Sequence, residues 1–137
     1  MKALLNACLI LLAACAAEPP HAVLPVATDG NLTIHVSNQS FDRDQVDIDV
    51  LIDGELAVTG DFDVGSQHSW HSFRFAVSPG AHTIRAVSRD CGAERELPIV
   101  ITDDGYVVVS YWYYATERFA PAEDMVIAFH EEPVFFD

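Results

Sequence analysis

The groups with which this 137-residue chain could do chemistry are three cysteines, six histidines and twenty-one acidic side chains. They do not assemble into a catalytic set. There is no Gly-x-Ser-x-Gly elbow and no glycine-rich phosphate loop, and the single lysine is Lys2. A blue-copper site needs Cys, two His and a weak axial ligand, usually Met. Cys91, His82, Met125 and His130 exist, but residues 92–96 after Cys91 (Gly-Ala-Glu-Arg-Glu) bring no histidine close to it. His68 and His71 flank Trp70 as His-x-x-His. On a strand or loop that spacing does not put two rings on one face, and zinc needs more ligands than this pair supplies. The plainer reading makes them surface or capping histidines. Asp42, Asp44, Asp47 and Asp49, with Asp61 and Asp63, are the best metal candidate, because calcium takes six to eight oxygens, often from loop carboxylates. They lack the spaced glycine and bidentate glutamate of an EF-hand loop, and Arg43 sits among them. The alternative is a solvated acidic face. No cofactor is expected.

Cys8 and Cys15 stand in a different setting. Lys2 is followed by an apolar stretch, residues 3–14, broken only by Asn6. It is shorter than the ~20 residues of a bilayer span and fits the core of a secretory signal. Its end, Leu12-Ala13-Ala14-Cys15, resembles the lipobox of bacterial lipoproteins. The resemblance implies removal of a signal peptide, residues 1–14. It implies acyl chains such as palmitate on Cys15 and an anchor in a membrane, and since no later apolar run approaches spanning length, Cys15 is expected to be the only anchor. Ala16 in place of Asp implies the outer membrane. The competing reading is an ordinary signal peptide cut at an Ala-x-Ala-like site. With Cys8 removed and Cys15 acylated, Cys91 remains alone and no intramolecular disulfide can form. Cys91 is then expected to be a small, half-buried residue of the turn at 89–92 rather than a reactive thiol.

The elements that would position these groups follow from composition and periodicity. The formal net charge is −14, with seven basic residues. That excludes nucleic-acid binding through phosphate neutralisation and docking on anionic lipid through a basic face. Half the residues are hydrophobic, too many for a disordered acidic tail. Pro19, Pro20, Pro25 and Gly30 punctuate residues 15–30 without any period, so this segment reads as a flexible tether that lifts the domain off the lipid. The domain proper is residues 31–137. Its apolar residues alternate with period two: Leu32, Ile34, Val36; Val46, Ile48, Val50, Ile52; Phe73, Phe75, Val77; Ile84, Ala86; Leu97, Ile99, Ile101. Further strands are expected over 56–64, 106–114, 125–130 and 134–136. Asp53-Gly54 and Pro79-Gly80 are turn signals. No window reads as an amphipathic helix. The expectation is an all-β chain, a single antiparallel immunoglobulin-like β-sandwich of about seven to nine strands, with the 106–114 strand central and the 46–52 strand presenting its acids to water.

Residues 46–54 (Val-Asp-Ile-Asp-Val-Leu-Ile-Asp-Gly) and 78–86 (Ser-Pro-Gly-Ala-His-Thr-Ile-Arg-Ala) together resemble the PEGA-type and related immunoglobulin-like modules of bacterial envelope proteins. That resemblance covers about 40 residues by the span quoted, and the stretch 61–70 is longer than in such modules. It implies a non-enzymatic accessory or binding domain in the cell envelope, with another envelope protein as partner. The aromatic strand supplies the candidate contact surface. Tyr106, Trp112 and Tyr114 share one face with Val108 and Ser110, while Tyr111 and Tyr113 share the other. Only one face can line a core. The other, with Trp70, is either a binding patch for protein or glycan or is covered by residues 120–136, and covering is the expectation.

Overall fold

The computed structural model describes residues 16–64, 69–116 and 119–135, with no description of the side chains of residues 114–123. The signal segment, Cys15 and His68 therefore lie outside the described residues, as does Phe136 of the last expected strand. The described chain is all-β, with eleven strands and no helix.

One sheet has five strands in the order β1 (His21–Ala22), β5 (Glu55–Thr59), β4 (Asp49–Ile52), β8 (Gly80–Ser88), β9 (Ala93–Ile101). A second has four, in the order β11 (Phe119–His130), β10 (Gly105–Thr116), β2 (Leu32–Asn38), β7 (His71–Phe75). A small third sheet pairs β3 (Gln45–Asp47) with β6 (Asp61–Asp63). Every pairing is antiparallel except β2 with β10, which is parallel in the register Leu32 to Gly105 through Asn38 to Tyr111. A parallel pair needs a long crossover, and here most of the fold lies between the two strands.

The strand count exceeds the expectation because two apolar runs bend and residues 21–22 add β1. Residues 45–63 form one hairpin whose turn is Asp53-Gly54, with φ of 52° and 81°. Both angles are positive, as a two-residue primed turn requires. Midway along its length the hairpin changes sheets. On one arm Gly60, at φ 146°, separates β5 from β6. On the other, the Ile48 amide donates to the Gly60 carbonyl at 2.9 Å and separates β3 from β4. Side-chain alternation runs straight through the bend, with Val46, Ile48 and Val50 all buried, so period two alone cannot reveal it. The alternation elsewhere was a sound guide. Ile34 and Val36, Val107 and Val109, Ile84 and Ala86 point into one core cluster shared by all three sheets with Phe62 and Tyr111. Each such Val or Ile contributes roughly 1.5–3 kcal/mol by leaving water. β10 is interior to its sheet, between β11 and β2, as its two-sided apolar sequence predicts. Residues 131–135 carry no strand.

Residues 18–30, read above as part of a free tether, lie against the domain as a strap. The Glu18 amide donates to Asp61 Oδ2 and the Asp61 amide to the Glu18 carbonyl, both at 2.7 Å. Pro20 lies on Gly60, where an added Cβ would come within 2.5 Å of the Pro20 Cα. β1 then pairs with Thr59 and Val58 of β5, the Val23 amide donates to the Ala57 carbonyl at 2.8 Å, and the Ala27 amide to the Arg74 carbonyl of β7 at 2.8 Å. The strap thus caps an edge strand of each large sheet, and Ala22 and Leu24 pack against the core. Open edges invite pairing with other chains, and covering them outweighs the freedom that a proline-rich sequence suggests.

Candidate functional site

The strand β10 divides its side chains as the alternation requires. Val107, Val109 and Tyr111 are fully buried. Tyr106, Val108 and Trp112 are half-buried on the opposite, outer face. Residues 119–130 do not fold over that face. They form β11, which pairs edge to edge with β10 from Tyr106–His130 to Trp112–Asp124 and beyond. The expected cover is thereby corrected. Hydrogen bonding to β10 claims the segment's backbone, so it widens the sheet instead of capping it. Phe129 packs inward against the core, and Phe135 is exposed.

The register lays out the outer face in rows. Arg74, Thr33, Tyr106 and His130 form one; Ser72, His35, Val108 and Ala128 the next; Ser37, Ser110 and Val126 a third. Trp70, just before β7, stacks on His35, with ring centroids 4.7 Å apart and planes tilted by 34°. His35 Nδ1 and Ser72 Oγ are 2.7 Å apart. Burial holds the His35 pKa below its ordinary value, so the ring is neutral near pH 7. Ser37 Oγ receives a hydrogen bond from Gln39 Nε2 at 3.0 Å and lies 3.4 Å from Ser110 Oγ. Trp70 and Trp112 thus share a face. With the strand spacings of a regular sheet, their Cα atoms stand about 12 Å apart, with His35 and the buried Ser37 and Ser110 between them. Tyr114 pairs with Ala122 on the β10–β11 ladder, and its side chain lies outside the described set. His35 was not among the candidate site residues read from the sequence. Its place on the alternating β2 strand was visible, but the stacking depends on a loop that only the fold positions.

The acidic residues do not gather. Among the described residues, no three His, Cys, Asp or Glu side chains come together as a metal site. Asp47, far from presenting its carboxylate to water, accepts from Ser88 Oγ at 2.7 Å and from the amides of Arg89 and Asp90 at 2.9 and 3.2 Å. Asp49 accepts from Thr59 Oγ1 at 2.5 Å and faces Arg89 Nη2 at 3.1 Å. Asp61 holds the strap, and Asp63 accepts from Gln45 Nε2 at 2.9 Å. Asp42 and Asp44 are exposed on the loop before β3. Cys91 sits half-buried in the turn between β8 and β9, its amide on Ser88 Oγ at 3.3 Å. The six residue steps of β8 from His82 to Ser88 alone span about 20 Å, so the four residues considered for copper do not meet. His71 is exposed and lies edge-on to Phe62, with ring centroids 5.4 Å apart.

A second cluster joins the two sequence pieces that carry the envelope-module resemblance. Asp53, in the turn after β4, accepts from the Thr83 amide at 2.8 Å through Oδ1 and faces His82 Nδ1 at 2.7 Å through Oδ2. His82 Nε2 lies 2.6 Å from the Ser78 carbonyl. Both ring nitrogens therefore meet acceptors, and only the imidazolium can donate to both. The hydrogen bond to Asp53, then that to Ser78, raises the His82 pKa, and the same His82 contact, then the Thr83 amide, lowers that of Asp53. Two open grooves of about 580 and 460 Å³ meet at this clasp, one against Pro98 and Phe129, the other under Leu24, Pro25 and Phe75. A general base needs a free lone pair beside its substrate. His82 has none in this arrangement, and the clasp fastens the turns at Asp53 and Ser78 to one another.

No known family, no curated protein and no solved structure matches this chain.

Proposed function

We propose that the chain is a lipoprotein of the cell envelope, anchored by acyl chains on Cys15 as the Leu12-Ala13-Ala14-Cys15 motif implies, and that Ala16 in place of Asp sends it to the outer membrane.

 We further read its fold as an immunoglobulin-like β-sandwich, a reading supported by two large sheets that share one core. It acts by binding another envelope protein, without catalysis. The observation that carries the binding reading is the outer face of the four-stranded sheet, where Trp70 and Trp112 flank His35, Ser37 and Ser110 and β11 lies beside rather than over them. Ser37 and Ser110 are themselves buried, so what the face offers a partner is the half-buried Tyr106, Trp70 and Trp112, and an aromatic ring loses little entropy on docking and gives up a large apolar area. Tyr114 belongs to the same proposed surface by its position on β10.

The test places a photo-crosslinking residue at Tyr106, on this face, and at Val100, on β9 of the other large sheet, in cells that make the full chain. A discrete adduct is expected from position 106 and not from 100. The double variant Trp70→Ala and Trp112→Ala should lower its yield by about tenfold or more, the loss typical of removing a central aromatic contact, with an unchanged circular dichroism spectrum. An adduct indifferent to both tryptophans contradicts the reading. A second reading, glycan binding, is favoured by the ~12 Å spacing of two half-buried tryptophans on one face. It expects retention on a glycan surface that the same double variant abolishes.

A further inference from the structure

The strap has a consequence for the anchor, and it rests on the acylation of Cys15 proposed above. We infer that the lipid surface lies against one particular end of the fold, the end that carries Gly60, Asp61 and the turn at 89–92. The argument is one of length. Glu18 is pinned by its reciprocal hydrogen bonds with Asp61, and Pro20 by its seat on Gly60. Only Ala16 and Ala17 separate Cys15 from Glu18. Three Cα–Cα steps reach at most ~11 Å. A free tether over residues 15–30 would instead have an end-to-end distance of about 20 Å and permit any orientation.

The height of the fold makes that difference decisive. β8, nine residues long, spans about 30 Å from one end to the other. Asp61 belongs to the near end through a continuous set of contacts: Gly60 with Ile48, Thr59 with Asp49, Asp49 with Arg89, and Asp47 with the amides of Arg89 and Asp90. The far end carries Asp53-Gly54, Pro79-Gly80 and residues 102–104. The strap climbs between them, from Asp61 to Asn31, whose carbonyl accepts from the Gly105 amide and whose side chain pairs with Val77. An anchor reaching ~11 Å can bring only the near end to the bilayer. The occupant is a zwitterionic lipid surface, since Glu18, Asp61, Asp63 and Asp90 at that end outnumber the exposed Arg89, which is paired with Asp49, and would repel anionic headgroups. The aromatic outer face then stands side-on to the membrane, and the His82 clasp with its two grooves projects into the aqueous compartment.

The test uses the full, acylated chain in phosphatidylcholine vesicles that carry an energy acceptor on a headgroup. Cys91→Ser removes the native thiol, and a donor dye is attached at Asp90→Cys or at Asp103→Cys, both exposed positions. Intact mass establishes acylation in each sample. Transfer is expected to be several-fold stronger from position 90 than from 103. A roughly dozen-residue Gly/Ser spacer between Ala17 and Glu18, which leaves the strap in place but restores a free tether, should remove most of that contrast. Equal transfer from both positions in acylated protein, or a contrast that the spacer leaves intact, overturns the orientation while the anchor stands. A mass without acyl chains overturns the anchor and the orientation together.

Discussion

His82 is held as an imidazolium by two acceptors, the Asp53 carboxylate and the Ser78 carbonyl, and this makes the clasp sensitive to pH in a defined sense. The His82 pKa is raised from 6.5 in the folded protein. Its contribution to stability is therefore complete below that unfolded value and is lost as pH rises through the higher folded value. The Asp53 pKa is lowered from 3.8, so its contribution is present above 3.8 and is lost as pH falls through the lower folded value. The clasp is strongest between about pH 4 and 6.5. Asp53 is half exposed, and solvent screening keeps the effect near or below about 1 kcal/mol. Chemical denaturation of the wild type and of His82→Gln should show a stability gap at pH 6 that closes on raising the pH through the folded His82 pKa. A gap that widens with pH would contradict the assignment. The turn at Asp53-Gly54 was legible in the sequence, since the dipeptide carries its own backbone preference. Its partnership with His82 was not, because residues 29 positions apart meet only once the β4–β8 register is set. Asp47 was misread for the same reason. Its alternation on the strand suggested water, and the turn that fills its hydrogen bonds comes 41 residues later.

The elements divide along the same line between local and distant causes. Alternation located the strands and chose the buried face of β2 and β8, because a one-residue slip would turn an apolar row to solvent, but it left open which of the two apolar faces of β10 is buried. It did not reveal the bend at Gly60, where side-chain parity is kept and only the backbone changes direction. Nor did it reveal the strap, whose short pairing to β5 leaves no period to read. Gly60 serves both features. Its φ of 146° suits glycine, and its bare Cα admits Pro20. In Gly60→Ala the new methyl would sit within 2.5 Å of the Pro20 Cα. The expected outcome is release of the strap's first turn at a cost of about 1–3 kcal/mol. Hydrogen exchange should then accelerate at Glu18, His21 and Val23 while the β10 amides at Val107 and Val109 stay protected. Unchanged exchange in the strap would show that Pro20 is not seated as described.

At the scale of the whole molecule, period two was the surest guide, and it gave the all-β class. The parallel pairing of β2 with β10 was beyond reach of the sequence, because it brings together strands from opposite ends of the domain. The fate of the outer face turned on the same kind of information: whether β11 lies over β10 or beside it is decided by backbone pairing, to which side-chain pattern is indifferent. A strap that seals two sheet edges and an aromatic face left beside rather than beneath the last strand are the observations from which we propose a binding module held at a membrane by the acyl chains on Cys15. The most direct test of that account is native mass spectrometry of the protein released gently from its own membranes. The account predicts a chain that begins at Cys15, carries two or three acyl chains, and retains a bound protein that the Trp70→Ala and Trp112→Ala double variant loses. An unacylated monomer that binds nothing, or a chain that still carries residues 1–14, would contradict it.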